Sequence, residues 1–146
     1  LAELDRVCGK QSFELVYSHA AIEHAWNIRE TWEALFRVTA ANGWHSHRID
    51  LADHGGREGN YIEMLEWSSF GYWLTMRYVP GAINRWRAAD HLQWLQAMGL
   101  KILSQSREVR DSLPVPRTRL SRQFRDLDEV ELRTTAIDLV AQMSQG

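Results

Sequence analysis

The chain has 146 residues, 45% hydrophobic and 25% charged, a composition that suits a folded domain with its own core and excludes a disordered polymer. Its 17 basic and 19 acidic residues leave a formal net charge of −2, so no basic excess points to a nucleic-acid partner. No run approaches the ~18 apolar residues of a membrane span and no signal peptide is visible, while the single cysteine, Cys8, excludes an internal disulfide and fits a reducing compartment; the expected setting is the cytoplasm.

Leu1 rather than Met opens the chain, a start expected of a truncated chain, a proteolytic fragment or an unusual gene start. Cys8 falls in a loop-like stretch before the first strand, Phe13 to Ser18 (FELVYS), an apolar run of the kind buried in parallel sheets. A helix is predicted over Ile28 to Ala41, from the spacing of Ile28, Trp32, Leu35, Phe36 and Thr39. Asn27 and Glu30 are placed as its capping box and Asn42-Gly43 as its stop. Trp44 to Leu51 follows as a strand, making a βαβ unit whose strands run parallel. The stretch 52–82 opens on a Gly-rich turn and carries Tyr61, Trp67, Phe70, Tyr72, Trp73 and Tyr78 without one clean period. It is expected to be a lid over a pocket, with one short helix.

Arg87 to Met98 is a helix with Leu92, Leu95 and Met98 on one stripe and Gly99 as its stop. Leu100 to Val109 is a strand, Leu113 to Asp126 a proline-bearing loop with a turn of helix, and Thr134 to Met143 the final strand. The basic stretch 107–125 is expected to be a solvated loop. The seven tryptophans are scattered, without a repeat period. No linker interrupts the pattern, so 1–146 is expected to be one domain.

Several side chains carry chemistry. Ser18 and His19 end the first strand, on the edge where open parallel sheets bind ligands. His24 suits proton transfer near neutrality, or else Glu23 and His24 anchor their loop by hydrogen bonds. His45, His47, Asp50, Asp53 and His54 raise a metal reading, against which a substrate-facing role for Asp50, Asp53 and His54 is preferred; no metal is expected. The aromatics of 52–82 fit an acceptor pocket or a self-association surface. Arg85, Arg87 and Asp90 are expected to tie the lid to the following helix by ion pairs.

FELVYS, then His19 with Glu23-His24, then Arg37-Val38 with Gly43, then HSHRIDLADH, together resemble the fourth strand, helix and fifth strand of class I S-adenosylmethionine-dependent methyltransferases. NRWRAADHLQWLQAMGLKIL resembles the penultimate helix and strand of that family, and FRDLDEVELRTTAIDLVAQM its closing strand. The resemblance covers nearly the whole chain in order. It implies the C-terminal half of a Rossmann-like α/β fold, a mostly parallel sheet with an antiparallel final strand. It also implies methyl transfer from S-adenosylmethionine to a small-molecule or sugar-type acceptor by in-line displacement. Ser18, His19 and Glu23 would then face the cofactor, and His24, Asp50 and His54 the reacting acceptor. The family's Gly-rich turn and ribose-binding acid have no counterpart here, so the chain alone is expected to be inactive. The alternative is a non-catalytic interaction module that self-associates through its exposed aromatics.

Overall fold

A computed structural model describes residues 4–144; the start at Leu1 lies outside them. Four strands form one sheet in the order β1-β2-β4-β3, with β1 at Phe13–His19, β2 at Thr39–Asp50, β3 at Leu100–Val109 and β4 at Thr134–Met143. β1 and β2 are parallel, while β4 runs antiparallel to both β2 and β3. Three strands therefore share one direction and only the final strand opposes them, as the sequence led one to expect. β4 lies between two neighbours, and its TTAIDLVAQM run is buried along most of its length. The alternating character that its sequence suggests is therefore reduced to buried against half-buried positions in its second half, because both neighbours and the helical layer cover it.

A short helix α1 (Leu4–Cys8) precedes β1, so Cys8 ends a helix rather than lying in a loop. Helix α2 (Ile28–Val38) and helix α4 (Ala88–Ala97) cover one face of the sheet. Their contact is made by Trp32, whose indole N–H donates to Nδ1 of His91 at 3.2 Å. The main core gathers Ile28, Trp32, Ile49, Leu95, Ile137 and Leu139 beneath them. Gly99 stops α4 with φ +88, the left-handed conformation that favours glycine. The opposite face exposes Tyr17 and carries Arg48, which pairs with Asp138 at 2.9 Å and with Glu108.

The junction of α2 and β2 departs from expectation. The helix ends at Val38, and Thr39 already has extended backbone, its hydroxyl capping the Leu35 carbonyl at 2.7 Å. Asn42-Gly43 is therefore no helix stop but a bulge inside β2: Phe13 pairs with Thr39, yet Leu15 pairs with Trp44. Asn42 has φ +63, and a Cβ on Gly43 would lie 2.6 Å from Cγ2 of Thr39 and 2.8 Å from the Ala40 carbonyl oxygen. A glycine is required because the bulged chain folds back on itself. At the other end of α2, Asn27 makes no backbone cap; its amide donates to the Glu30 carboxylate. The backbone bond of a capping box is made instead at α4, where Asp90 accepts from the Arg87 N–H at 2.8 Å.

The segment after β2 contains two 3₁₀ turns and helix α3 (Ser69–Met76), whose first turn is capped by the Ser68 hydroxyl accepting from Gly71 N–H at 3.1 Å. It packs with the stretch bearing α5 (Arg122–Arg125) and α6 (Glu129–Arg133) around a second apolar cluster that includes Ile62, Leu65, Tyr72, Ile83, Leu120 and Leu132. The stretch 107–125 is accordingly less solvated than expected: Arg119 pairs with Glu66 at 2.8 Å, Arg107 pairs with Glu131, and Arg117 donates to the Leu127 carbonyl at 2.6 Å.

Arg87 also differs from expectation. Among the described residues its side chain makes no ion pair to the lid; it is 1% exposed and donates to the carbonyls of Leu51 at 2.8 Å, Glu131 at 2.9 Å and Thr134. It thus ties the end of β2, α6 and the start of β4 to the N-terminus of α4. Arg85 reaches the lid through the Trp67 carbonyl at 2.7 Å, again without a carboxylate.

Candidate active site at the carboxyl edge of the parallel strands

β1 and β2 run parallel and end side by side, with Ser18 opposite His47 and His19 opposite Arg48. Ligands of open parallel sheets bind beyond such ends. Beyond β1 the chain turns through a 3₁₀ turn, Ile22–His24, held in place by Asn84. The Asn84 amide donates at 3.1 Å to the carbonyls of both Ile22 and Ala25. Asp50 is the last residue of β2, and His54 lies in the turn beyond it.

These two turns bring His24, Asp50 and His54 together. His54 Nε2 is 3.0 Å from Asp50 Oδ2, and the His24 and His54 rings meet edge to face with centroids 5.8 Å apart. The other Asp50 oxygen accepts from the Ala52 N–H at 2.9 Å, fixing the carboxylate. His24 Nδ1 lies 3.2 Å from the Ala82 carbonyl, which can only accept, so Nδ1 carries the proton and Nε2 is left bare. By the same reasoning His54 donates from Nε2 to Asp50. In its neutral form each ring therefore has one acceptor nitrogen, Nε2 of His24 and Nδ1 of His54.

Glu23 is part of the same turn and is 1% exposed, and no side chain among the described residues pairs with its carboxylate. Burial, aided by the neighbouring Asp50 charge and opposed by the Glu23 and Asp50 backbone N–H groups and by His24, holds its pKa above the usual carboxylate value. A buried carboxyl that meets only nearby backbone N–H groups keeps lone pairs for a ligand donor.

Ser18 and His19 part company. Side chains alternate along a strand, and His19 lines a hollow of about 290 Å³ on the opposite face with Tyr17, Ser46, Arg48 and Asp138. Ser18 instead faces the helical layer and begins a chain of buried hydrogen bonds. Its hydroxyl is 2.6 Å from His47 Nδ1; His47 Nε2 is 3.1 Å from His45 Nδ1; His45 Nε2 is 2.9 Å from the Thr39 hydroxyl; and Thr39 donates to the Leu35 carbonyl at 2.7 Å. The last acceptor sets every proton. Since Thr39 spends its proton on a carbonyl, His45 must donate from Nε2, His47 must donate from Nε2 to His45 Nδ1, and Ser18 must donate to His47 Nδ1. Both rings are neutral: burial holds His45 down to about 4, and burial with the neighbouring His45 and His91 holds His47 down to about 3. With its proton committed inward, Ser18 presents only lone pairs to the edge.

The sequence placed His45 and His47 on one face but showed neither end of this chain, because Ser18 and Thr39 join it only through strand register and the helix–strand junction. Asn84 was also missed; no local pattern marks it. Asp53 is held within its own turn, its carboxylate accepting from the Gly55 N–H at 3.0 Å. No group of three or more His, Cys, Asp or Glu side chains among the described residues is placed to hold a metal ion.

Sheet order, the single antiparallel strand and the ligand-side turns together define a partial class I methyltransferase-like fold. No protein-family model matches the chain, and no curated protein matches it in sequence. Among solved structures, it is similar to an S-adenosylmethionine-dependent methyltransferase from Mesorhizobium loti, with TM-score 0.54 and 16% identity over 95% of this chain and 66% of that one. It is similar to a Galdieria sulphuraria protein provisionally described as a sarcosine dimethylglycine methyltransferase, with TM-score 0.56 and 12% identity over 97% and 57%. A third similar structure is the [4+2]-cyclase SpnF, with TM-score 0.52 and 13% identity over 94% and 52%. The chain spans between about half and two thirds of the length of these structures. The likeness establishes the fold, and the cyclase illustrates that one fold hosts more than one reaction.

Proposed function

We propose that this chain forms the acceptor-side part of an S-adenosylmethionine-dependent methyltransferase that acts on a small-molecule acceptor. The observation that carries the reading is the convergence of Glu23, His24, Asp50 and His54 on the carboxyl edge of two parallel strands. S-adenosylmethionine supplies an activated methyl group, so the protein's work is to align an acceptor and to take a proton where the acceptor must lose one.

Ser18, as a pure acceptor, and the buried Glu23 carboxyl, which no side chain pairs, fit N–H or ammonium groups of a bound cofactor. His19 is assigned to the cofactor by resemblance, from the opposite face of β1. His24 Nε2 is the base for an acceptor hydroxyl or amine, and the Asp50–His54 pair orients the acceptor through His54 Nδ1. The segment 52–82 acts as the lid. A cytoplasmic setting suits the exposed free Cys8. No helix among the described residues is long and apolar enough to cross a membrane.

Thermal unfolding with S-adenosylhomocysteine tests the reading. Ligand at ten times its Kd adds about 1.4 kcal/mol, a rise of roughly 4 °C for a domain of this size. Stabilisation that disappears in Glu23→Gln supports the assignment; no shift at millimolar ligand removes it.

A second reading is favoured by the exposed apolar surface. Leu15 and Tyr17 are 59% and 66% exposed on β1, and Phe70 and Tyr78 are 71% and 78% exposed on and after α3. Such surface suits a non-catalytic module that self-associates. Sedimentation at micromolar concentration separates the two: a dimer broken by Phe70→Ser without any response to S-adenosylhomocysteine favours the module.

A further inference from the structure

Helices α2, α3 and α4 enclose a cleft of about 700 Å³, a volume suited to a small organic ligand. It adjoins the edge described above through Asn84, but Ser18, His19, Glu23, His24, Asp50 and His54 are all absent from its lining. Its walls are aromatic: Trp26 meets Tyr72 with centroids 5.8 Å apart, and Trp86 meets Trp94 at 6.2 Å. Two guanidinium groups lie against these walls. Arg29 sits 4.8 Å over the Trp94 ring, and Arg85 sits 4.7 Å over Tyr72 and 5.1 Å over Phe124.

The charges in the cleft do not balance. Among the described residues, no carboxylate lies within ion-pairing distance of Arg29 or Arg85. The one acidic side chain in the lining, Asp90, already accepts the Arg87 N–H at 2.8 Å. Arg85 commits Nη1 to the carbonyls of Met64 and Trp67, at 3.4 and 2.7 Å, leaving Nη2 and Nε. In the same lining the Trp94 indole N–H is buried without an acceptor. Guanidinium groups carry their donors in plane and match a carboxylate fork, while the ring faces around them match a flat apolar body.

We propose that this cleft is a binding site for an aromatic carboxylate, its ring held among Trp26, Tyr72, Trp86 and Trp94 and its carboxylate by Arg29 and Arg85. The site stands independently of the methyl-transfer reading, because binding here is measured without S-adenosylmethionine or any turnover.

Calorimetric titration at pH 7.5 with three compounds of one shape tests it: 2-naphthoate, the neutral 2-naphthamide and the cationic 2-naphthylmethylammonium. The naphthoate is expected to bind at least tenfold tighter than the amide, with the ammonium weakest. Arg29→Gln and Arg85→Gln should each weaken naphthoate at least fivefold while leaving the amide within twofold, and Arg122→Gln, on exposed α5, should change neither. Arg85 also holds lid carbonyls, so Arg29→Gln, at an exposed position, is the variant that keeps the test independent of lid stability. The proposal is overturned if naphthoate binds no tighter than the amide, if no compound binds at millimolar concentration, or if Arg122→Gln weakens naphthoate as much as Arg29→Gln does.

Discussion

Lowering the pH should unfold this protein well before its carboxylates titrate. His45, His47 and His91 are buried and neutral, held down to about 4, about 3 and about 3 from the ordinary 6.5. For His91 the cause is burial, reinforced by the Arg87 charge. In the unfolded chain each recovers its ordinary value and takes up a proton below it. The stability these groups permit is therefore fully present above pH 6.5 and is lost progressively as the pH falls towards their folded values. Each histidine costs about 1.4 kcal/mol per pH unit in that window, hence about 2 kcal/mol at pH 5 and roughly 6 kcal/mol for the three together. That is comparable with the whole stability of an ordinary domain. Glu23 works the other way, since its raised pKa lets the folded state hold a proton that the unfolded state has released. Near pH 6 and below, the net uptake on unfolding is then about two protons. Urea unfolding followed by tryptophan fluorescence between about pH 6.2 and 5.5 measures it, and His91→Gln should lower the slope by somewhat less than one proton. A slope below one proton, or no change in His91→Gln, would refute the burial of these rings as described.

The hydrogen-bond chain predicts that ¹⁵N NMR finds both His45 and His47 as Nε2–H tautomers at pH 7; an Nδ1–H tautomer in either contradicts it. Gly43→Ala should cost about 1–3 kcal/mol in denaturant unfolding, because its Cβ has no room beside Thr39 and Ala40. Arg87→Met should cost about 3–5 kcal/mol, since it strands the carbonyls of Leu51, Glu131 and Thr134 in the interior. Glu23→Gln should stabilise the fold by about 1 kcal/mol at pH 8, where the buried carboxylate is costliest, while weakening S-adenosylhomocysteine. A destabilised Glu23→Gln at that pH would mean the carboxylate has partners in solution.

Where local chemistry decides the structure, the sequence was sufficient. β3 and β4 fall at their expected ends because Gly99 punctuates α4 and the following runs are β-rich. The relation of His24, Asp50 and His54 was legible because each lies at or within a few residues of the carboxyl end of one of two parallel strands. Tertiary pairing overrode the local signal at Asn42-Gly43: a glycine after a helical pattern reads as a stop, yet pairing with β1 draws Thr39 into the strand and turns the same residues into a bulge. Arg87 looked like a surface helix-end charge; only the fold reveals three interior carbonyls converging on it. The Ser18–His47 bond joins residues 29 apart in sequence and depends on register alone. Nothing in spacing or propensity marks it.

The account turns on whether the carboxyl edge of β1 and β2 is a cofactor site. An amide-resolved NMR titration of the purified chain with S-adenosylhomocysteine, up to millimolar concentration, measures that directly. Saturable shifts centred on Ser18 to His24 and Asp50 to His54 are the predicted result. Shifts absent throughout, or confined to surfaces away from that edge, would contradict it.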